Sequence, residues 1–281
     1  MSDQDRTQVS SAAAVQHGYS GGYDGRVVQG LSQRSVIREG AFFLPYLRSG
    51  MDVLDCGCGP GTMTVQVAAV VAPGAVVGID LESSQFSVGR ARAQARSLGN
   101  VRFEQASIYA LPFPDESFDL VYAHAVLYHL DRPEAALGEI HRVLRPGGLI
   151  AVRDSDTRGD IYAPADPHLD RAWELAARVM HDHGGNPGFG AQQRAILREA
   201  GFVDIVATAS YDAYGTPALM QGFSAFWAAF LSEHHAERIV RHGWATRDEL
   251  AELAGVLTGW GLHPDAFAAR ARCEAIGRKP A

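Results

Sequence analysis

The sequence predicts an α/β fold in which a mostly parallel sheet is covered by helices on both faces. Three observations carry this prediction. Short β-branched runs such as "MDVLDCG", "AVVGID" and "GLIAVRDS" alternate with segments of helical period; a Gly-rich bend joins the first run to the first helix; and Arg145-Pro146-Gly147-Gly148 stops a helix directly before another apolar run. Sheets of this kind bind ligands at the carboxyl ends of their strands.

The elements follow in order. Residues 1–14 are polar and rich in Ser and Ala, and are expected to be disordered. "RSVIREGAFFLPYL" reads as a short helical region ending near Gly50. "MDVLDCG" is a strand, "TVQVAAVVA" a helix and "AVVGID" a second strand, together one βαβ unit. The alternation continues with "SSQFSVGRARAQARSLG" (helix), "VRFEQA" and "FDLVYAHA" (strands), "RPEAALGEIHRVL" (helix) and "GLIAVRDS" (strand). After Asp154 the pattern loosens into an insertion, 156–189, holding one amphipathic helix from about Pro167 to His183. "AQQRAILREAG" returns as a helix and "FVDIVATASY" as a strand; a second helical insertion, 216–266, precedes a last strand at "ARARCEAIG". Residues 15–281 thus read as one domain with two insertions.

Composition narrows the function. The 281 residues are 47% hydrophobic and 20% charged, enough to bury a full core, and the net charge of -7 is spread without blocks. With neither a basic run nor a stripe of basic and aromatic residues, nucleic acid and anionic membranes are not expected partners. No apolar run approaches the length of a bilayer span and the first residues lack a signal-peptide pattern, so a cytoplasmic location is expected. Three cysteines, Cys56, Cys58 and Cys273, neither form a disulfide framework nor close a zinc tetrahedron, so no metal is expected.

The chemistry concentrates in "VLDCGCGPGTMT". Asp55 ends the first strand, Gly57, Gly59 and Gly61 follow at every second position, and Thr62 opens a helix whose free N–H groups face the bend. A dinucleotide pattern G-x-G-x-x-G would place its third glycine one residue later, and no Lys stands beside Thr62 as a P-loop requires. Asp55 would repel a pyrophosphate but suits an ammonium group, and Asp80 closes the next strand where a carboxylate can accept both ribose hydroxyls. Together they describe a ligand with a ribose, a charged amino-acid tail and no phosphate.

At these residues the chain resembles the class I S-adenosylmethionine (SAM)-dependent methyltransferases, in the small-molecule group similar to the ubiquinone/menaquinone methyltransferases. The likeness runs from about Met51 to Asp154 through "VLDCGCGPGTMT", "VVGID", "ALPFPDESFDLVYAHAVLYHL" and "HRVLRPGGLIAV", and "EAIGRKP" looks like the closing strand. It implies a Rossmann-like, doubly wound, seven-stranded sheet with an antiparallel last strand, the insertions forming a cap. It also implies SAM as cofactor and S-adenosylhomocysteine (SAH) as product. Asp55, Gly57, Gly59 and Gly61, with Thr62 at the helix start, would line the methionine part; Asp80 the ribose; Leu81 one adenine face. Gln85 would assist the ribose or cap its helix. Where relatives carry Asp before "xxLPF", this chain has Ser107, which would meet the adenine amino group beside the Ile108 backbone. Asp119 and Arg145 mark positions in the family pattern and are not expected to be catalytic.

The acceptor is expected to be a small molecule of secondary-metabolite type, methylated at oxygen or nitrogen. The enzyme's task is in-line alignment and exclusion of water, with a base needed only for an acceptor that arrives protonated. Candidates for that base or for substrate binding are His124, also near the cofactor, and Asp154, with Asp156 and His183 as weaker choices. His129 reads as structural or substrate-binding, His181 as a helix end or a substrate contact. Tyr214 and Trp227 belong to an aromatic-rich stretch that is either core or a lid, and Tyr19 and Tyr23 could close the pocket from the N-terminal side. A homodimer through the insertions is possible. One alternative keeps the cofactor but catalyses cyclisation or rearrangement without methyl transfer; a nicotinamide-dependent oxidoreductase is disfavoured by the glycine spacing and Asp55.

Overall fold

The computed structural model describes residues 30–281; the polar tail, Tyr19 and Tyr23 lie outside them. The sheet is built from β1 (Val53–Cys56), β2 (Val76–Asp80), β3 (Val101–Gln105), β4 (Phe118–His124), β5 (Leu144–Ser155), β6 (Ile161–Ala163), β7 (Val203–Tyr214) and β8 (Phe267–Arg278). Helices α1 (Thr62–Val71), α2 (Phe86–Ala95), α3 (Pro133–Val143) and α5 (Gln193–Glu199) connect its strands. The insertions carry α4 (Pro167–Asp182), and α6 (Pro217–Ala229), α7 (Ala236–Arg241) and α8 (Arg247–Gly261).

Strands run in the order β3-β2-β1-β4-β5-β8, with β7 and the short β6 also on β8. All pairs among β1 to β5 are parallel, and β8 is antiparallel to β5, β6 and β7. The central strands are buried along their length because helices cover both faces, which explains their unbroken apolar runs. From β1 the chain moves outward to β2 and β3, then returns to place β4 on the other side of β1. The carboxyl ends of β1 and β4 therefore diverge into a crevice at this reversal of strand order.

Two expectations are corrected. The sheet has an eighth strand, β6, lying in the first insertion and pairing with β8 through Ala268 and its neighbours. Three residues between Asp160 and Pro164 carry no readable period; they are held by tertiary bonds, with Asp160 Oδ1 accepting the Ala271 N–H at 2.7 Å and Trp260 Nε1 donating to Ala163 O at 3.1 Å. The segment 34–47 is a chain of turns ending in a 3-10 turn, Leu44–Tyr46, rather than a helix. Pro45 has no N–H to extend a helical ladder, and Phe43 is fixed instead by stacking on Tyr122 with ring centroids 4.9 Å apart.

The two insertions fold together into a cap with its own hydrophobic core. Trp173 of α4 stacks on Tyr162 of β6 at 4.7 Å and meets Trp227 of α6 edge-on at 5.3 Å, so aromatic contacts tie the first insertion to the second. No described helix is long and apolar enough to cross a membrane.

Candidate functional site

At the crevice a pocket of about 290 Å³, open solvent included, is lined by Leu31, Arg34, Asp55, Gly57, Cys58, Pro60, Thr62, Met63, Tyr122 and His124. Asp55 sits at its base, where β1 ends. Its Oδ2 accepts from Thr64 Oγ1 and from Tyr122 OH, each at 2.6 Å. Burial pushes the carboxyl up to about 7, against the downward pull of those two hydroxyls. Arg34, on the turns before β1, lines the same pocket and lowers the Asp55 pKa through its charge. An acid and a guanidinium facing one cavity match the ammonium and carboxylate of an amino-acid tail. The sequence reading missed Arg34, because nothing local distinguishes it from other surface arginines.

The three glycines of the bend all have positive φ: 74° at Gly57, 52° at Gly59 and 70° at Gly61. Their surroundings differ. A Cβ on Gly61 would lie 2.3 Å from the Phe103 ring of β3, so this glycine lets α1 pack on the sheet and is closed to a ligand. A Cβ on Gly59 would meet nothing nearer than 3.8 Å, its neighbours being Gln85 Oε1 and Leu31. Thr62 faces the pocket, yet its Oγ1 already accepts from Arg92 Nη1 at 2.7 Å.

The expected ribose and adenine residues gather around the ends of β2 and β3, beside that pocket. Asp80 Oδ2 accepts the Gly59 N–H at 2.8 Å and Oδ1 the Glu82 N–H at 3.1 Å, while burial raises its pKa. Gln85 makes no cap bond to its helix, and its buried Oε1 has no hydrogen-bond partner among the described residues. Leu81 is half-buried, its carbonyl accepting from Gln105 Nε2 at 2.7 Å. Ser107 Oγ accepts the Tyr109 N–H at 3.2 Å, and the Ile108 side chain turns into the core. A SAM molecule fits this set on two observations: the orphaned acceptor Gln85 Oε1 beside the open face of Gly59, and the opposed charges of Asp55 and Arg34.

Three candidate bases are already engaged by neighbouring groups. His124 lines the pocket, but its Nε2 lies 2.9 Å from Arg153 Nη1. Arginine only donates, so Nε2 accepts, the proton resides on Nδ1, and the ring has no free lone pair. Burial, then the charges of Arg34, Arg153 and Arg272, hold its pKa well below the usual imidazole range. Asp154 is fully buried and acts as a clasp: Oδ1 accepts the N–H groups of Val126 at 2.9 Å and Tyr128 at 3.3 Å, and Oδ2 accepts from Gln193 Nε2 at 3.2 Å. Asp156 is bound by Arg158 and the Ala191 N–H.

The expected substrate residues scatter. His129 lies in the turn that Asp154 clasps, where burial lowers its pKa to about 3. His181 is exposed at the end of α4, away from the pocket, and His183 bonds the Val179 carbonyl through Nδ1 at 2.8 Å. Tyr214 and Trp227 belong to the cap core: Tyr214 packs on Phe223 at 4.5 Å, and the Arg270 guanidinium lies over the Trp227 ring at 5.1 Å. Arg145 bridges Asp119 at 2.6 Å and Asp52 at 2.9 Å at the amino ends of the strands, remote from the crevice. Among the described residues no cluster of three His, Cys, Asp or Glu is arranged to hold a metal.

Comparison with known proteins agrees with this geometry. The family model described as "Methyltransferase domain" matches residues 47–188. The protein named "Probable methyltransferase ltbC" from Aspergillus luteorubrus is 30% identical over 282 residues, covering 93% of this chain and 97% of its own. A ubiquinone/menaquinone biosynthesis C-methyltransferase of Shewanella is 40% identical over 107 residues, 37% of this chain and 43% of its own. Among solved structures, YcgJ of Bacillus subtilis superposes with a TM-score of 0.58 at 19% identity, covering 86% of this chain and 97% of that one, a likeness of fold. The chain belongs to the methyltransferase-domain family and is a SAM-dependent methyltransferase of the class I, small-molecule group.

Proposed function

We propose that this enzyme methylates an oxygen or nitrogen of a small acceptor that enters the crevice beside His124. The observation that carries the reading is the pocket at the ends of β1 and β4, in which Asp55 and Arg34 face one cavity whose lining also includes the apolar Leu31, Pro60 and Met63 and the rings of Tyr122 and His124. In this reading Asp55 and Arg34 hold the two charges of the methionine tail, Asp80 and Gln85 take the ribose, and Ser107 with the Ile108 backbone borders the adenine. SAM supplies a methyl group made electrophilic by its sulfonium. The chain's own residues then bind and align: the β4 end presents His124, and the turn 126–129, clasped by Asp154, forms the adjoining wall.

An acidic carbon would need a base to ionise it; the Nε2 lone pair of His124 is taken by Arg153, and Asp154 is fully buried and holds three donors, which supports oxygen or nitrogen as the nucleophile. The test is transfer of isotope-labelled methyl from SAM to a panel of small phenols, enols and amines, followed by mass spectrometry. Methylated product on oxygen or nitrogen is the expected result. Cofactor binding with no methyl transfer to any compound would favour the cyclisation or rearrangement catalyst instead.

A further inference from the structure

His124 has one hydrogen-bonding group left over. Its Nε2 is taken by Arg153, and Arg153 is itself immobile: 3% exposed, it donates to Asp212 Oδ1 at 2.7 Å, Glu274 Oε1 at 3.0 Å and Ser210 Oγ at 3.2 Å. Arg272 shares Asp212 through Oδ2 at 2.7 Å and also bonds Ser155, so the scaffold spans β5, β7 and β8. Despite burial, which acts upward, the two arginines hold Asp212 below the usual carboxylate range, so the scaffold stays ionised. Nδ1 of His124, by contrast, is shielded from solvent and, its own backbone aside, has no hydrogen-bond partner among the described residues, on a ring that lines the pocket. Buried N–H donors without an acceptor are rare, because each forfeits its bond to water. A ligand atom is the natural partner here.

We propose that His124 is a fixed hydrogen-bond donor to an oxyanion of the acceptor, the ionised hydroxyl of an acidic phenol or enol, and that Arg153 is the positioning residue that sets its tautomer. This rests on the reading under Proposed function and names its substrate class. The charged groups around His124 agree with an anion. Arg153 bonds the ring at Nε2, Arg272 acts on it by its charge, and the carboxylates of Asp212 and Glu274 face Arg153. Asp55 is tied to Thr64 and Tyr122. The acceptor oxygen enters ionised and is held by the Nδ1–H. Its lone pair forms the bond to the methyl as the methyl–sulfur bond breaks, the electron pair passing to sulfur; the product is a neutral ether and no proton moves in the site. Weakly acidic alcohols are excluded because nothing there removes their proton.

The test uses the full chain, loaded with SAH, in three measurements. Calorimetry with SAH comes first, so that loss of the cofactor site is distinguished from failure of this proposal. NMR of 15N-histidine-labelled protein, assigned by comparison with His124→Asn, is expected to show His124 protonated at Nδ1 with no titration between about pH 5 and 8. Arg153→Met should free Nε2 and make the tautomer or the titration change. Titration with 4-nitrophenol, whose anion absorbs in the visible, should show the bound phenolate below its solution pKa. His124→Asn, which keeps a donor near the Nδ1 position, should retain that binding, whereas His124→Leu should weaken it about tenfold or more. A ring protonated at Nε2, a His124 that titrates near neutrality, phenolate binding unaffected by His124→Leu, or no phenolate bound to SAH-loaded protein would each overturn the proposal.

Discussion

Replacing Gly61 by alanine asks whether the third glycine of the bend serves packing or the cofactor. At φ 70° an L-residue pays about 1–2 kcal/mol for the left-handed conformation. The new Cβ would also lie 2.3 Å from Phe103 Cε1 and 2.6 Å from Cζ, with the Gly89 backbone 3.3 Å away, so the ring cannot swing toward α2. Overpacking of this kind costs roughly 1–3 kcal/mol. The sum is about 2–5 kcal/mol, which at about 2–4 °C per kcal/mol lowers the melting midpoint by roughly 4–20 °C. Thermal unfolding followed by circular dichroism measures it, with Phe103→Leu alone and combined. The smaller side chain should remove the steric part, leaving Gly61→Ala to cost only about 1–2 kcal/mol in the double variant. Gly59→Ala is the contrast: with nothing nearer than 3.8 Å it carries only the φ cost, and its larger effect should be on SAH affinity. If Gly61→Ala left the midpoint unchanged, or Phe103→Leu gave no relief, the packing role would be refuted.

Asp80→Ala removes the acceptor of the Gly59 N–H and the proposed ribose contact; SAH affinity measured by calorimetry should fall at least tenfold, on about 1.5–3 kcal/mol for charge-assisted bonds. Unchanged affinity would remove Asp80 from the site. Asp55 governs a pH dependence. Its pKa is pushed up to about 7 in the folded state from an ordinary value of 3.8, so between those values the folded state holds a proton that the unfolded state has shed, and stability falls as pH rises through that window. Melting scans of Asp55→Asn should therefore show a flatter decline from about pH 4 to 7 than the parent; parallel curves would contradict the assignment. Asp154→Asn keeps an oxygen for the Val126 and Tyr128 N–H groups and, with the Gln193 amide turned over, offers a donor to its Oε1, which has no partner among the described residues, so both stability and turnover should survive. Asp154→Ala orphans those groups and should cost about 2–4 kcal/mol. Loss of turnover in a well-folded Asp154→Asn variant would restore Asp154 as a base.

The sheet was legible because its signal is local: β-branched runs, a glycine bend and a helix-stopping Arg-Pro-Gly-Gly each act within a few residues. Where a signal was too short or interrupted, legibility failed. β6 spans three residues and exists because β8 offers them a partner, and the segment 34–47 has helical composition but forms turns, with Pro45 unable to carry a helical ladder through its last part.

The cofactor end of the site divides the same way. The amino acids by themselves determined that an acid precedes a bend of positive-φ glycines and that a second acid closes the next strand, since strand ends and turns are set by neighbours along the chain. They did not determine what each side chain meets. That Phe103 closes Gly61 depends on β3 lying beside β2, and that Arg153 occupies the His124 lone pair depends on the β4–β5 register that sets those two residues opposite each other. Asp154, adjacent to Arg153 on the strand, alternates to the other face and is spent on the turn at 126–128. A histidine and an aspartate at the strand ends look alike as bases in one dimension. Only the tertiary structure assigned one of them a guanidinium and the other two backbone amides, because hydrogen-bond partners separated by 26 to 29 residues are chosen by strand pairing and not by sequence neighbourhood.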